Sequence, residues 1–237
     1  MLTASARLSP ETKVWRYMSY SRFVWLLQKK QLWFSRADHL GDPWEISLAG
    51  DQLKHVISRH PISPIGEPMR ESALQRSERI INAWRRRTFI NCWSASEHES
   101  HALWRIYCQT SEGVAIQTTL AKFQASVGDL PVYECTYAIP GSTKQTPTLE
   151  ERATKKRPMF SYEREVRIVH LADDDCPEPV PVGFGVPWDA EENAKSIRVH
   201  PEADQSFMET VVGAIESYAP AAKDIVVWSD MNEPPPF

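Results

Sequence analysis

The sequence predicts an α+β domain with a central, largely antiparallel sheet and flanking helices. Three observations lead there. Strand-like and helix-like segments alternate irregularly, without the repeating βαβ order of a doubly wound sheet. The second half of the chain is richer in strand candidates than the first. Apolar residues make up 42% of the 237 residues, enough for a sizeable core and too many for wholesale disorder. No internal repeat and no long linker forces a division. Residues 1–237 therefore read as one domain, with 1–12 a flexible leader and 233–237, with its three consecutive prolines, a flexible tail.

In chain order, Val14 to Tyr17 reads as a first strand. Ser21 to Lys30, with Phe23, Val24, Leu26 and Leu27 between polar flanks, reads as a helix of about three turns. Leu32 to Ser35 is a strand, and Asp38 to Glu45 a loop broken by Gly41 and Pro43. Pro61 to Pro68 is a second break. Glu71 to Arg87 is an arginine-rich helix, Thr88 to Ser94 a strand and His101 to Gln109 a short helix. Val114 to Thr118 and Val132 to Tyr137 are strands with a helix over Leu120 to Ser126 between them. Leu149 to Lys156 reads as helical, Glu163 to Leu171 as a strand and Asp173 to Pro181 as an acidic loop. Ser196 to His200, Ala203 to Tyr218 and Ile225 to Trp228 complete the chain as strand, helix and strand.

Charge and cysteine usage narrow the class. The net charge of −4 gives the chain as a whole no pull on nucleic acid. Cys92, Cys108, Cys135 and Cys176 are scattered, which favours neither a zinc site nor a disulfide framework. His98 and His101 flank Glu99 without a third ligand nearby, so no metal is expected. There is no signal-peptide pattern and no apolar run of about 18 residues. The expected compartment is the cytoplasm, with no membrane partner. Phosphate-loop, GxGxxG and GxSxG signatures are absent.

The chemistry concentrates in Glu163-Arg164-Glu165. On a strand, Val166 and Ile168 face the core while Glu163, Glu165 and Arg167 share the other face. Such a face is either a solvated ion pair or a cleft in which a carboxylate stabilises a developing cation. Arg16, between Trp15 and Tyr17, calls for an anionic partner, either a protein carboxylate or a phosphate that its planar fork can grip. Ser94 and Ser96 end a strand and can bond a sugar or amide, or cap the following helix. Asp42-Pro43 reads as a turn. Tyr17, Phe34 and Tyr107 are candidates for stacking on a planar ligand.

Two resemblances follow from these residues. Val14 to Ser19, Leu32 to Ser35, Gly41 to Glu45, Cys92 to Ser94, Leu103 to Tyr107, Gly113 to Ile116 and Tyr162 to Arg167, in that order, resemble a bacterial family catalogued as a domain of unknown function, with members linked to abortive infection in phage defence. More distantly, Arg16, Ser94-Ala95-Ser96 and Glu163-Arg164-Glu165 resemble the Arg–Ser–Glu type of ADP-ribosyltransferase. The second resemblance implies a split sheet and NAD as substrate without metal. It implies that Arg16 holds the pyrophosphate, that Ser94 helps seat the nicotinamide, that Glu165 stabilises the oxocarbenium-like transition state and that Glu163 orients the acceptor. Ala95 stands where threonine is usual. The acceptor, protein or nucleic acid, is not named by the sequence, and an antitoxin partner is compatible with it. Two rivals remain. One is a non-catalytic sensor gripping nucleic acid or a phage component through Arg85 to Arg87. The other is a metal-dependent nuclease built on Asp42, Glu45 and Glu165 with Lys155 or Lys156.

Overall fold

One edge of a central strand serves two different neighbours, and this fork organises the molecule. A computed structural model describes residues 8–47, 73–139, 147–172, 179–233 and 235. Strand β1 (Lys13–Ser19) leads into helix α1 (Tyr20–Lys29) and back along β2 (Gln31–Arg36). A 3₁₀ turn follows at Ala37–His39. Helix α2 (Ala73–Arg87) runs directly into β3 (Thr88–Ala95). Along one edge β3 pairs with β8 (Glu165–Leu171) from Thr88↔Leu171 to Ser94↔Glu165. Along the other edge it pairs with β2 at Phe89 and Ile90, and with β1 only at Ser94 and Ala95. Asn91 to Trp93 have no strand partner there, so the sheet is split at that point.

The two halves then grow outwards. Beyond β1 lie β4 (Gly113–Thr119), β10 (Ser196–Val199) and β11 (Val226–Trp228). β2 pairs with β9 (Gly183–Pro187), and β8 with β5 (Val132–Glu134). All nine strands join one sheet, in which only β10–β11 is a parallel pairing. The expected antiparallel α+β architecture is therefore observed. A separate parallel pair, β6 (Thr136–Tyr137) and β7 (Lys155–Lys156), stands beside it.

Period-two burial gives the sheet its faces. On one face Val14, Met18, Phe34, Trp93, Val166 and Ile168 join the main core under α1, α4 (Leu120–Ser126) and α7 (Gln205–Tyr218). Helix α1 buries Phe23, Leu26 and Leu27, one stripe of a 3.6-residue period, and stops where Lys30 turns left-handed. On the opposite face, α3 (His101–Cys108) covers Trp15, Tyr17 and Ala115. The Ala37 turn and α5 (Leu149–Ala153) cover Ile90 and Val169. Polar groups lie between these two smaller clusters.

Several boundaries differ from expectation. The strand expected from Glu163 begins at Glu165, because Pro158 starts a 3₁₀ helix (Pro158–Glu163) that ends in a left-handed Arg164. Val132 to Tyr137 breaks at Cys135 into β5 and β6. The expected helix to Lys156 stops at Ala153 after a Thr148–Glu151 capping box, and its last lysines become β7. The short edge strand β9, flanked by Gly183 and Pro187, and the one-turn helix α6 (Ala190–Asn193) were not expected. Within the presumed flexible leader, Pro10 and Thr12 carbonyls accept from Ala121 and Leu120 and fasten the start of α4. The Pro61 to Pro68 break, the first residues of the Glu71 helix, Cys176 and most of the Asp173 to Pro181 loop lie outside the described residues.

Candidate active site

Glu163 and Glu165 are brought together by a kink rather than by a strand. Arg164 has φ 44°, and this turn brings the two flanking carboxyls to one ammonium, that of Lys156. Four anchors hold the segment. Ser94 Oγ donates to the Glu163 carbonyl (2.7 Å), and Ala95 N–H donates to that of Arg164 (2.8 Å). Glu165 N–H donates to the Tyr137 hydroxyl (2.7 Å), and its carbonyl accepts from Cys135 N–H (2.9 Å). Ser94 therefore ties down this segment. The cap of α3 is Ser100, which accepts from Leu103 N–H.

A buried ion network surrounds the pair. Arg167, 1% exposed, donates from Nε to Glu165 (2.7 Å). Its two terminal nitrogens grip Glu45 bidentately (2.8 Å each), and Nη1 also reaches the Ala153 carbonyl (2.6 Å). Lys156 forms an ion pair with Glu163 and lies 3.5 Å from Glu165. Three buried carboxylates thus share two buried cations. Such charges are tolerated only when paired, because desolvation costs several kcal/mol per ion, on the order of 3–5 kcal/mol when a partner is lost.

Electrostatics separates the two glutamates. Burial and then the Glu165 charge push the Glu163 carboxyl above its ordinary range, with Lys156 working against them. Burial would raise Glu165 too, but Arg167 and Lys156 overcome it and hold Glu165 below the ordinary range. Glu165 thus gives up its proton more readily than a free glutamate, and Glu163 less readily. Paired carboxyls driven apart in this way are suited to divided roles.

The loop after β2 reaches into the same network. Asp42 accepts from Trp44 N–H (3.0 Å), the expected turn, and pairs with Arg157 (2.9 Å). Arg85 of α2 donates to the carbonyls of Pro43 and Glu45. Ile46, a β-branched residue at φ 58°, is strained and buried, and the turn it makes directs Glu45 at Arg167. Glu45 and Glu165 were expected as joint metal ligands under the nuclease reading. Instead both turn on Arg167, whose guanidinium stands where the cation would.

Arg16 occupies the fork. Its Nη1 donates to the Cys92 carbonyl (2.7 Å), on the unpaired edge of β3, and to Asn91 Oδ1 (3.1 Å). Among the described residues no carboxylate pairs with it, and burial lowers its proton affinity. Trp15, its neighbour, is in register with Ser94, and Ser94 with Glu165. The backbones of Arg16 and Glu165 therefore lie two strand spacings apart, roughly 10 Å; by strand alternation Arg16 leaves β1 on the Val14 and Met18 face, and Glu165 leaves β8 on the face opposite Val166 and Ile168. Tyr107 on α3 is 38% exposed and stands within electrostatic reach of Arg16, Glu163 and Glu165; burial, then the two glutamates, push its hydroxyl up.

The remaining candidates are placed differently. Tyr17 is buried edge-on to Trp104 (5.0 Å), and its hydroxyl accepts from Ser100 N–H. Phe34 is fully buried against Phe184 in the main core and offers no ring face to a ligand. Ser96 sits at the rim, its N–H on the Lys13 carbonyl and its carbonyl on the Trp15 indole. Tyr137 is a site residue that sequence reading missed; Glu45 and Lys156 were named beside Glu165 only under the nuclease reading, not as members of an ion network. The signal available was a buried loop glutamate and a lysine pair beside a proline, each ordinary alone.

Solved structures of one protein resemble the chain. One is Thermus sp. 2.9 DarT in complex with ADP-ribosylated ssDNA, 12% identical with a TM-score of 0.46, covering 95% of this chain and 97% of that one. Another is the same protein in complex with carba-NAD+, 13% identical with a TM-score of 0.45, covering 94% and 98%. No family model and no curated protein matches the chain. Among the described residues, no group of three metal-binding side chains is present, and no helix is long and apolar enough to cross a membrane.

Proposed function

We propose that this chain is an NAD-dependent ADP-ribosyltransferase-like enzyme serving as a bacterial toxin or phage-defence effector. The observation that carries the reading is the pairing of Glu165, whose proton affinity is lowered, with Glu163, whose proton affinity is raised, on a strand two places from β1, whose Arg16 has no carboxylate partner among the described residues. In this reading Arg16 grips the pyrophosphate at the mouth of the fork. Tyr107 stacks on the nicotinamide ring, and Ser94 and Ser96 lie at the nicotinamide end. The glycosidic bond between C1′ of the ribose and the nicotinamide nitrogen breaks, and its electron pair leaves with nicotinamide. Glu165 stabilises the positive charge left on the ribose. The acceptor, oriented by Glu163, forms the new bond at C1′ and loses its proton; Glu163 is the member of the pair suited to take it. The toxin or defence role follows from the sequence resemblance.

A second reading, a non-catalytic binding domain, is favoured by one fact. Glu165 is only 5% exposed and both its oxygens face cations. Incubation with NAD, with and without EDTA, separates the two. Release of nicotinamide that survives EDTA is the expected result. Binding without release supports the second reading, and cleavage of nucleic acid abolished by EDTA would return the site to metal chemistry.

A further inference from the structure

We infer that Lys156 is the positioning residue that divides the work between the two glutamates, keeping Glu165 an anion while its own closest contact is with Glu163. The inference deepens the transferase reading and rests on it. Two carboxyls buried side by side cannot both ionise cheaply without a nearby cation. Lys156 supplies that cation. Its ammonium touches Glu163 and stands 3.5 Å from Glu165, while Arg167 reaches Glu165 alone of the two. Lys156 is also built in. It belongs to β7, whose partner across the register is Tyr137, the residue that receives the Glu165 N–H. Its side chain is 6% exposed and its ammonium lies over the Phe160 ring at 4.6 Å. The same two-stranded element thus holds the backbone of one glutamate and the side chains of both.

The other groups facing the pair do not take over this task. Tyr107, Tyr137 and Tyr162 look toward Glu163 from α3, β6 and its own turn, and all three stay protonated, their hydroxyls pushed up by burial first. Cys135 and Cys92 flank Glu165, their thiols likewise pushed up by burial, Cys92 to about 12. Arg167 divides itself between Glu165 and Glu45.

The test is the pH dependence of kcat/KM for NAD consumption in wild type, Lys156→Met and Lys156→Arg. Loss of the charge in Lys156→Met is expected to move the acid limb up by about one to three units, with activity recovering at high pH. Lys156→Arg, which keeps the charge, is expected to hold the limb in place. A uniform loss with an unmoved limb would make Lys156 a packing residue and overturn the proposal. A parallel arm needs no turnover: ¹³C-carboxyl titration of Glu163 and Glu165 in the apo protein, assigned by their glutamine variants. Both are expected to titrate higher in Lys156→Met, and unmoved titrations overturn the proposal whether or not NAD is consumed. Shifted titrations in a wild type that consumes no NAD would sustain Lys156 and reject the transferase reading. Should Lys156→Met not fold, the Lys156 ¹⁵Nζ resonance of wild type, assigned through Lys156→Arg, decides: it is expected to inflect as Glu163 titrates, and a flat profile overturns the proposal.

Discussion

Two buried carboxylate networks each reach a residue of α3, one Trp104 and the other Tyr107, and they are built on different principles. Glu99, at the start of α3, accepts from the Trp104 indole (2.9 Å), the Ser229 hydroxyl (2.6 Å) and Asp230 N–H (2.9 Å), with Arg198 at 3.9 Å. One anion is met largely by neutral donors, and the result is a latch that fastens the segment after β11 to the rest of the sheet. Around Glu163 and Glu165, three carboxylates share two cations. The first network fastens a segment. The second crowds like charges onto shared cations and shifts Glu163 and Glu165 in opposite directions, the kind of perturbation found where chemistry is done.

The comparison can be broken most directly at its strongest contact. Arg167→Met should leave Glu45 and Glu165 buried without their shared cation and cost about 3–5 kcal/mol of stability, read as a large fall in the thermal midpoint. A small fall would mean that the cluster is already hydrated and that its charges are not coupled as described.

Glu165→Gln should keep the fold and remove about 2.7–4 kcal/mol of transition-state stabilisation, measured as a loss of NAD turnover. Unchanged turnover takes Glu165 out of catalysis. Unfolding instead would place it with Glu99 as a structural anion. Glu99→Gln gives the converse result. It should cost about 1.5–3 kcal/mol of stability, the worth of hydrogen bonds to a charged group, while kcat/KM stays at the wild-type value in the cold. A selective loss of turnover there would erase the distinction between the two networks.

The smallest effect is a pair of opposed pH slopes. Glu163 has a raised proton affinity in the folded state, so its contribution to stability is complete below about pH 4.3 and is lost as pH rises through its raised value. Glu165 is depressed, so its contribution is complete above about pH 4.3 and is lost as pH falls. The thermal midpoint of Glu163→Gln, relative to wild type, should therefore climb with pH. That of Glu165→Gln should fall with pH. Parallel slopes would show that the two carboxyls are not driven apart.

How much of this was legible in the sequence depends on distance along the chain. The shared face of Glu165 and Arg167 could be read from strand alternation, because that rule is local. The two glutamates were expected to share a strand face, and their convergence on Lys156 has another cause. A regular strand would have separated them, and it is Pro158 and the left-handed Arg164 that close the gap. Glu45 lies 122 residues from its partner Arg167, and nothing in local pattern announces such a pairing. Lys156 was named only as an alternative to Lys155 in the nuclease reading, and its place on β7 was not foreseen, because the helix stop at Thr154 goes with tertiary pairing to β6. The Arg16 fork depended on which strands share an edge of β3, a property of topology rather than of residues. Phe34 and Tyr17 show the converse: aromatic residues near a site are most often needed by the core.

The shared edge of β3 has a mechanical consequence. Among the described strands, only β3 is bonded directly to members of both halves of the sheet, and only two rungs join it to β1. The ladder that joins the halves is therefore confined to a short joint at Ser94 and Ala95, while one core cluster lies under both. A molecule seated against Arg16 would act as a splint across that joint. Its arrival would be felt in slower amide exchange of β4 and β8 together, although those two strands share no rung.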